Sequence, residues 1–354
     1  MAYMAFNSIL SSLFMLFLLS SSSINPPIEK YSPLTFTSDL PDFSFNTENI
    51  TLCDDAFHGS EVLHFTEWWY FDAELTQGYT LQFSIHVYNI FTEGFVAVNL
   101  NIYHYGIPVV QERDIYPIDI VELSKSSPSV HIEDKLNMKG TGNDPSSLSY
   151  TLFYNTRNAS IFLEYIGLTE GWKGVTPAGN WAVILPKASV SGYLIINNSR
   201  YQVTGIGYHD HNWNVTIVTG MNFGWIWGKT NSQSYTITWS DILPTWYQDD
   251  PILVVNKEKD GYIDIPSSNI HIIARGFSFK NGYIIPWRFH ILAEYKDIFI
   301  DIFIDTSTVD YRTVFGLINY WRYHVHCTGS IKIAGVTEKI DEYNIAEFIR
   351  FRFY

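Results

Sequence analysis

The chain has 354 residues, of which 46% are hydrophobic, 17% aromatic and only 16% charged. That length exceeds what one small core organises, and that balance excludes a disordered chain. A formal net charge of −14, with no Lys/Arg cluster in the sequence to offset it, repels anionic lipid headgroups overall and excludes a nucleic-acid partner.

In chain order, the first element is an apolar run from Ile9 to Leu19 that ends in Ser20–Ser23. It is short of the roughly 20 apolar residues a spanning helix needs, so residues 1–23 read as a signal peptide or an N-terminal anchor. No Lys or Arg precedes the run, which leaves possible membrane tethering through this segment open. Either way the remainder is expected to be secreted or extracytoplasmic. Sequons at Asn49, Asn158, Asn197 and Asn214 fit that expectation, as do Cys53 and Cys327, the only two cysteines. The pair reads either as a bridge between the two halves or as two buried thiols.

From residue 40 onward, period-two alternation dominates. Tyr79 to Val87 places apolar residues at odd positions, and Ile298, Ile300, Ile302 and Ile304 share one face of a later strand. Similar runs occur at 96–105, 159–165, 201–208, 234–241 and 346–353. Turn signals at Thr76-Gln77-Gly78, Asn197-Asn198, Asp260-Gly261 and Asn281-Gly282 separate the strands. No stretch sustains a capped helical stripe. The expected fold is all-β: two lipocalin-like antiparallel β-barrel or sandwich domains. Residues 40–220 form the first and residues 221–354 the second, where new hairpins begin at Phe223-Gly224-Trp225. Residues 122–150, rich in Ser, Pro, Gly and Asp, read as a long surface excursion.

Two strings carry the chemistry. In Glu67-Trp68-Trp69-Tyr70-Phe71-Asp72, a strand would set Trp68 and Tyr70 on one face and Glu67, Trp69 and Phe71 on the other. In Gly205-Ile206-Gly207-Tyr208-His209-Asp210-His211-Asn212-Trp213, it would set His209, His211 and Trp213 opposite Tyr208, Asp210 and Asn212. The two glycines allow close backbone approach or a bulge. So many polar groups in an apolar strand need partners, and functional sites are where such costs are tolerated. The plainer reading of each aromatic is core packing, and of each histidine a satisfied structural group. His209-x-His211 and His324-x-His326 could together hold a metal, yet neither pair alone is specific, and no metal or other cofactor is expected. Nucleophile elbows, phosphate-cradling loops and C-x-x-C pairs are absent. Asp301 and Asp305 lie about 13 Å apart along a strand at ~3.3 Å per residue and read as solvated.

At these two strings the chain resembles the hydroxyneurosporene synthase family, also called carotenoid 1,2-hydratases, with the related AttH-like proteins and the lipocalin-like Diels–Alderases. The resemblance implies two lipocalin-related domains with a pocket for an apolar small-molecule ligand at or near their junction. It also implies His211 and Trp213 as motif positions, and Trp239-Ser240-Asp241 as the aromatic-x-Asp element that follows. On this basis His211, Asp241 and Trp213 are the expected catalytic residues. Asp241 is preferred over Asp210 as the acid because Asp210 should point away from His211. Trp69, Tyr70, His209, Trp225, Trp227 and Trp239 are the expected ligand-binding residues. The glycine that usually follows the motif's Trp is Asn214 here. Three activities are compatible with this pattern. The first is a hydro-lyase that adds water to an isoprenoid or polyene alkene. The second is a Diels–Alderase-like cyclase, and the third a non-catalytic lipocalin-type carrier.

Overall fold

The computed structural model describes residues 45–60, 65–90, 93–176, 178–216, 224–242, 251–314 and 318–351. The N-terminal apolar segment and Phe223 lie outside these. Among the described residues, every element is a β-strand except four single-turn 3-10 helices, and no helix is long and apolar enough to cross a membrane. The strands build two curled antiparallel sheets, a half-barrel and a nearly closed barrel.

The first sheet starts as a meander of Phe65–Leu75, Tyr79–Ile90, Glu93–His104 and Ile107–Pro117. Ser199–Thr216 returns to pair with Phe65–Leu75. From there the sheet runs backward in sequence through Gly179–Ile196, Ala159–Gly167, Ser149–Asn155, Leu136–Thr141 and Ser129–Ile132 to Glu122–Leu123. Strands of the second sheet run from Gly224–Asn231 onward. Its centre pairs Gly224–Asn231 with Val336–Phe351, and the latter with Ile318–Ile333 and then Ile298–Val314. Tyr235–Ile242 flanks Gly224–Asn231 on the other side.

The turn signals land where expected, because Asn and Gly tolerate a left-handed backbone. Asn197 and Asn198 have φ of 49° and 65°, and Asn281 and Gly282 have 52° and 88°. The stretch from 122 to 150 corrects the expectation of a surface excursion. It is a meander whose Val130, Ile132, Leu136, Met138, Leu148 and Tyr150 alternate into the first core. Its Ser and Asp residues occupy turns and outward positions, so composition concealed the alternation.

Apolar side chains fall into three layers. One core fills the concave face of the first sheet and a second fills the other sheet. A third layer lies between the sheets and includes Tyr70, Trp172, Trp181, Tyr208, Trp227 and Ile242. The Lys229–Asp72 ion pair, at 3.0 Å and almost fully buried, joins the sheets beside it. Cys53 is exposed and Cys327 is buried in the second core, both as free thiols, so the bridge does not form. All four sequon asparagines are exposed. Asp301 and Asp305 are exposed as expected; Asp301 lies 2.7 Å from His290 Nε2, and Asp305 pairs with Arg288 at 2.7 Å.

Candidate functional site

Phe65–Leu75 and Ser199–Thr216 lie side by side, with Tyr70 opposite Asp210 and Trp69 opposite His211. A Cβ on Gly205 would sit 2.0 Å from the Glu74 carbonyl oxygen, so only glycine allows this approach. Because side chains alternate, the two signature strings present one set of groups to the first core and another to the space between the sheets.

The inward set is a closed polar network. His209 Nε2 lies 3.0 Å from Asp55 Oδ2 and its Nδ1 lies 2.9 Å from the Tyr70 carbonyl oxygen. His211 Nε2 lies 3.0 Å from Glu67 Oε1, and its Nδ1 lies 3.3 Å from both Asp55 Oδ1 and the Asp54 carbonyl oxygen. Each of these partners is an acceptor, so each ring sits between a main-chain carbonyl and a buried carboxylate, Asp55 beside His209 and Glu67 beside His211. Tyr150 donates to Asp55 at 2.6 Å, and Trp69 donates to the Asp55 carbonyl at 2.9 Å. Glu67 is fully buried. Burial alone would raise its pKa, but hydrogen bonds from His211 and His58 outweigh that and hold it at about 2. Trp213 stacks on His58 at 4.1 Å, and Trp69 stacks on His211 at 4.6 Å.

His58, Glu67 and His211 place one ligand-type atom each within 4.8 Å of one another. These are the residues that could hold a cation. Glu67 is already committed, however: it accepts the main-chain N–H groups of His58 at 2.8 Å and Gly59 at 2.9 Å, and His211 Nε2 acts as a donor toward it. The arrangement is that of a satisfied carboxylate rather than an open coordination site. The two H-x-H pairs do not meet. His324 belongs to the second sheet, where its ring lies against Tyr103, and His326 pairs with Asp341.

The outward set opens on a cleft between the sheets. The cleft is small, with a cavity volume of about 70 Å³. Trp68, Tyr70, Trp181, Trp225 and Trp227 line it, with Asp210, Asn212, Ser240 and Glu347 as polar groups. Trp68 and Trp225 stack across the two sheets at 6.3 Å, and Trp227 meets Tyr70 edge-on at 5.5 Å. Asp210 is 6% exposed. Its Oδ2 accepts from Tyr208 at 2.8 Å and Trp181 at 3.1 Å, whereas among the described residues Oδ1 accepts only from Asn212 at 3.2 Å. Burial raises its pKa to about 7 despite those hydrogen bonds. Oδ1 therefore has room for a proton in an apolar setting, the condition under which a carboxylic acid can donate near neutrality.

The expected residues divide among three places. Tyr70, Trp225 and Trp227 line the cleft. Trp69, His209, His211 and Trp213 face the first core. Trp239 belongs to the second core, and Asp241, two residues along the same strand and opposite Ile226, shares its face. His211 and Asp241 thus look into separate spaces, and the carboxyl residues that line the cleft are Asp210 and Glu347. Sequence reading set Asp210 aside because it points away from His211; that orientation is what turns it into the cleft. Alternation in the G-Y-H-D-H string carried the signal. Trp181 comes from the hairpin partner strand across the Asn197-Asn198 turn, whereas Glu347 had no signal, because long-range packing brings it there.

No family model matches the chain, and no curated protein matches it in sequence. Solved structures do. A protein assigned as an AttH of Nitrosomonas europaea superposes with a TM-score of 0.61 at 11% identity, covering 83% of this chain and 94% of that one. Kievitone hydratase of Nectria haematococca gives 0.54 at 12% identity over 82% and 90%. CghA gives 0.51 at 11% over 87% and 98%. At these identities the likeness is one of architecture: the chain has the fold of the AttH-like proteins, a fold that kievitone hydratase and CghA share.

Proposed function

We propose that the cleft between the sheets binds an apolar, isoprenoid- or polyene-like small molecule and that Asp210 protonates its alkene for hydration. The observation that carries this reading is a carboxyl with a pKa of about 7 set among tryptophan faces. In the reaction, the alkene π pair takes the proton from Asp210 Oδ1, leaving a tertiary cation and a carboxylate. The faces of Trp68, Trp181, Trp225 and Trp227 stabilise that cation. A water oxygen then bonds to the cationic carbon, and its surplus proton returns to Asp210, so the acid is regenerated. On the reverse face, His209 and His211 tie the strand that carries Asp210 to Asp55 and to Glu67 of the neighbouring strand.

The test pairs mass spectrometry of small molecules co-purifying with the protein with turnover assays on acyclic isoprenoid alkenes. Asp210→Asn is expected to keep ligand binding, read by tryptophan quenching, and to lose hydration by about 10²-fold or more. Full turnover to a cyclised product in Asp210→Asn would instead identify preorganised cyclisation. Recovery of unaltered ligand from the wild-type protein would identify a carrier.

A further inference from the structure

A two-stranded hairpin, Ser278–Lys280 with Tyr283–Ile285, stands outside both large sheets. Asn281 and Gly282 close it with positive φ angles, and its register sets Phe279 opposite Ile284 and Lys280 opposite Tyr283. Alternation gives the hairpin two different faces. On one, Ile285 is fully buried in the second core, and the Tyr283 ring meets Trp321 at 5.4 Å and Tyr311 at 6.2 Å. That face closes the core. On the other, Phe279 and Ile284 are each 72% exposed and Phe277 is 63% exposed. Folding does not require three large apolar side chains there, and an unprotected strand pair would ordinarily carry charges on its solvent face.

Basic residues flank the hairpin. Lys280 sits at the tip, on the face it shares with Tyr283, with its ammonium 5.0 Å from the Trp287 ring. Arg275 and Arg288 are cross-strand partners at the base, both exposed, and of these Arg288 alone pairs with a carboxylate, Asp305 at 2.7 Å. In a chain with a net charge of −14, three cations around an apolar tip are a local reversal of sign. Aromatic and aliphatic side chains ringed by Lys and Arg match the boundary between acyl chains and phosphate headgroups. We infer that this hairpin docks the protein on an anionic lipid surface, with Phe277, Phe279 and Ile284 inserted and Lys280, Arg275 and Arg288 against the headgroup phosphates. The inference needs only the hairpin and stands apart from the reading of the cleft.

Hydrogen exchange of the full chain, read by peptide mass with and without vesicles, tests it. The vesicles are phosphatidylcholine alone or with roughly a third phosphatidylglycerol, the anionic component supplying the surface potential. Anionic vesicles are expected to protect the amides of residues 276–288. The variant Phe277→Ser, Phe279→Ser, Ile284→Ser is expected to lose that protection and about tenfold in vesicle partitioning. Its melting temperature should hold, because the altered face touches no core residue. Lys280→Glu should weaken partitioning to anionic vesicles and leave the weak binding to phosphatidylcholine unchanged. Protection confined to the N-terminal peptides, or equal partitioning of the triple variant, overturns the inference. So does a hairpin already protected without lipid, whether by the chain's own N-terminal segment or, where protection rises with protein concentration, by a second copy.

Discussion

Asp210 and His211 are adjacent in the chain and lie on opposite faces of one strand, and their surroundings pull their chemistry apart. Asp210 meets tryptophan and tyrosine, so burial favours its neutral form. Its pKa is raised on folding, so its contribution to stability is present in full below the ordinary carboxylate range and is lost as pH rises through about 7. Asp210→Asn should therefore abolish that loss, which urea titrations at a series of pH values between the two limits would show. Glu67 behaves in the opposite sense. Its pKa is depressed to about 2, so its contribution is present above the ordinary glutamate value and is lost as pH falls from there toward 2. Glu67→Gln should cost about 2–4 kcal/mol at neutral pH, since it leaves the His211 ring without its buried partner. The same variant should show a flatter acid limb in a melting-temperature profile.

At the scale of the element, the strand Ser199–Thr216 shows how one position re-aims its neighbours. Its pairing with Phe65–Leu75 shifts register between Asn212 and Val215, and Asn214 in between has φ of 57°. Trp213 accordingly faces the first core, whereas Val215, two residues on, lines the cleft. Asn214 stands where the resembling family has glycine and adopts the left-handed backbone that glycine adopts freely, so the bend survives the substitution. Asn214→Gly should change stability by less than about 0.5 kcal/mol, whereas Asn214→Val should cost about 1–2 kcal/mol, measured by urea denaturation. The meander at 122–150 teaches the converse. Its inward residues alternate as any strand's do, but a frequent turn residue between short strands makes the composition look like a loop.

At the scale of the molecule, the two sheets share a junction in which charge is buried. Lys229 of the second sheet pairs with Asp72 of the first. Arg322 of the second bonds Tyr103 of the first, whose hydroxyl also donates to Asp310. Removing one partner strands the other, so Lys229→Met should lower stability by about 3–5 kcal/mol, and adding Asp72→Asn should restore part of the loss. Cys327, buried in the second core, reports on the same event. In the native protein only Cys53 should react with a thiol reagent, and Lys229→Met should expose Cys327 at a lower denaturant concentration.

Much of this was legible in the residues themselves. Period-two patterning determined the all-β class, the turn residues determined where strands reverse, and alternation within the two signature strings determined which side chains share a face. These are local properties, set by steric limits on the backbone and by the geometry of one strand. Only the tertiary structure decided which face meets which. Asp241 belongs to a strand that pairs with Gly224–Asn231 and not with Ser199–Thr216, so its face closes on the second core, away from His211. Trp225, Trp227 and Glu347 reach Asp210's cleft from strands of the other sheet. Strand partners and sheet packing depend on contacts across hundreds of residues, whereas alternation along a strand depends only on neighbours; the latter is written in the sequence and the former is settled by the folded whole.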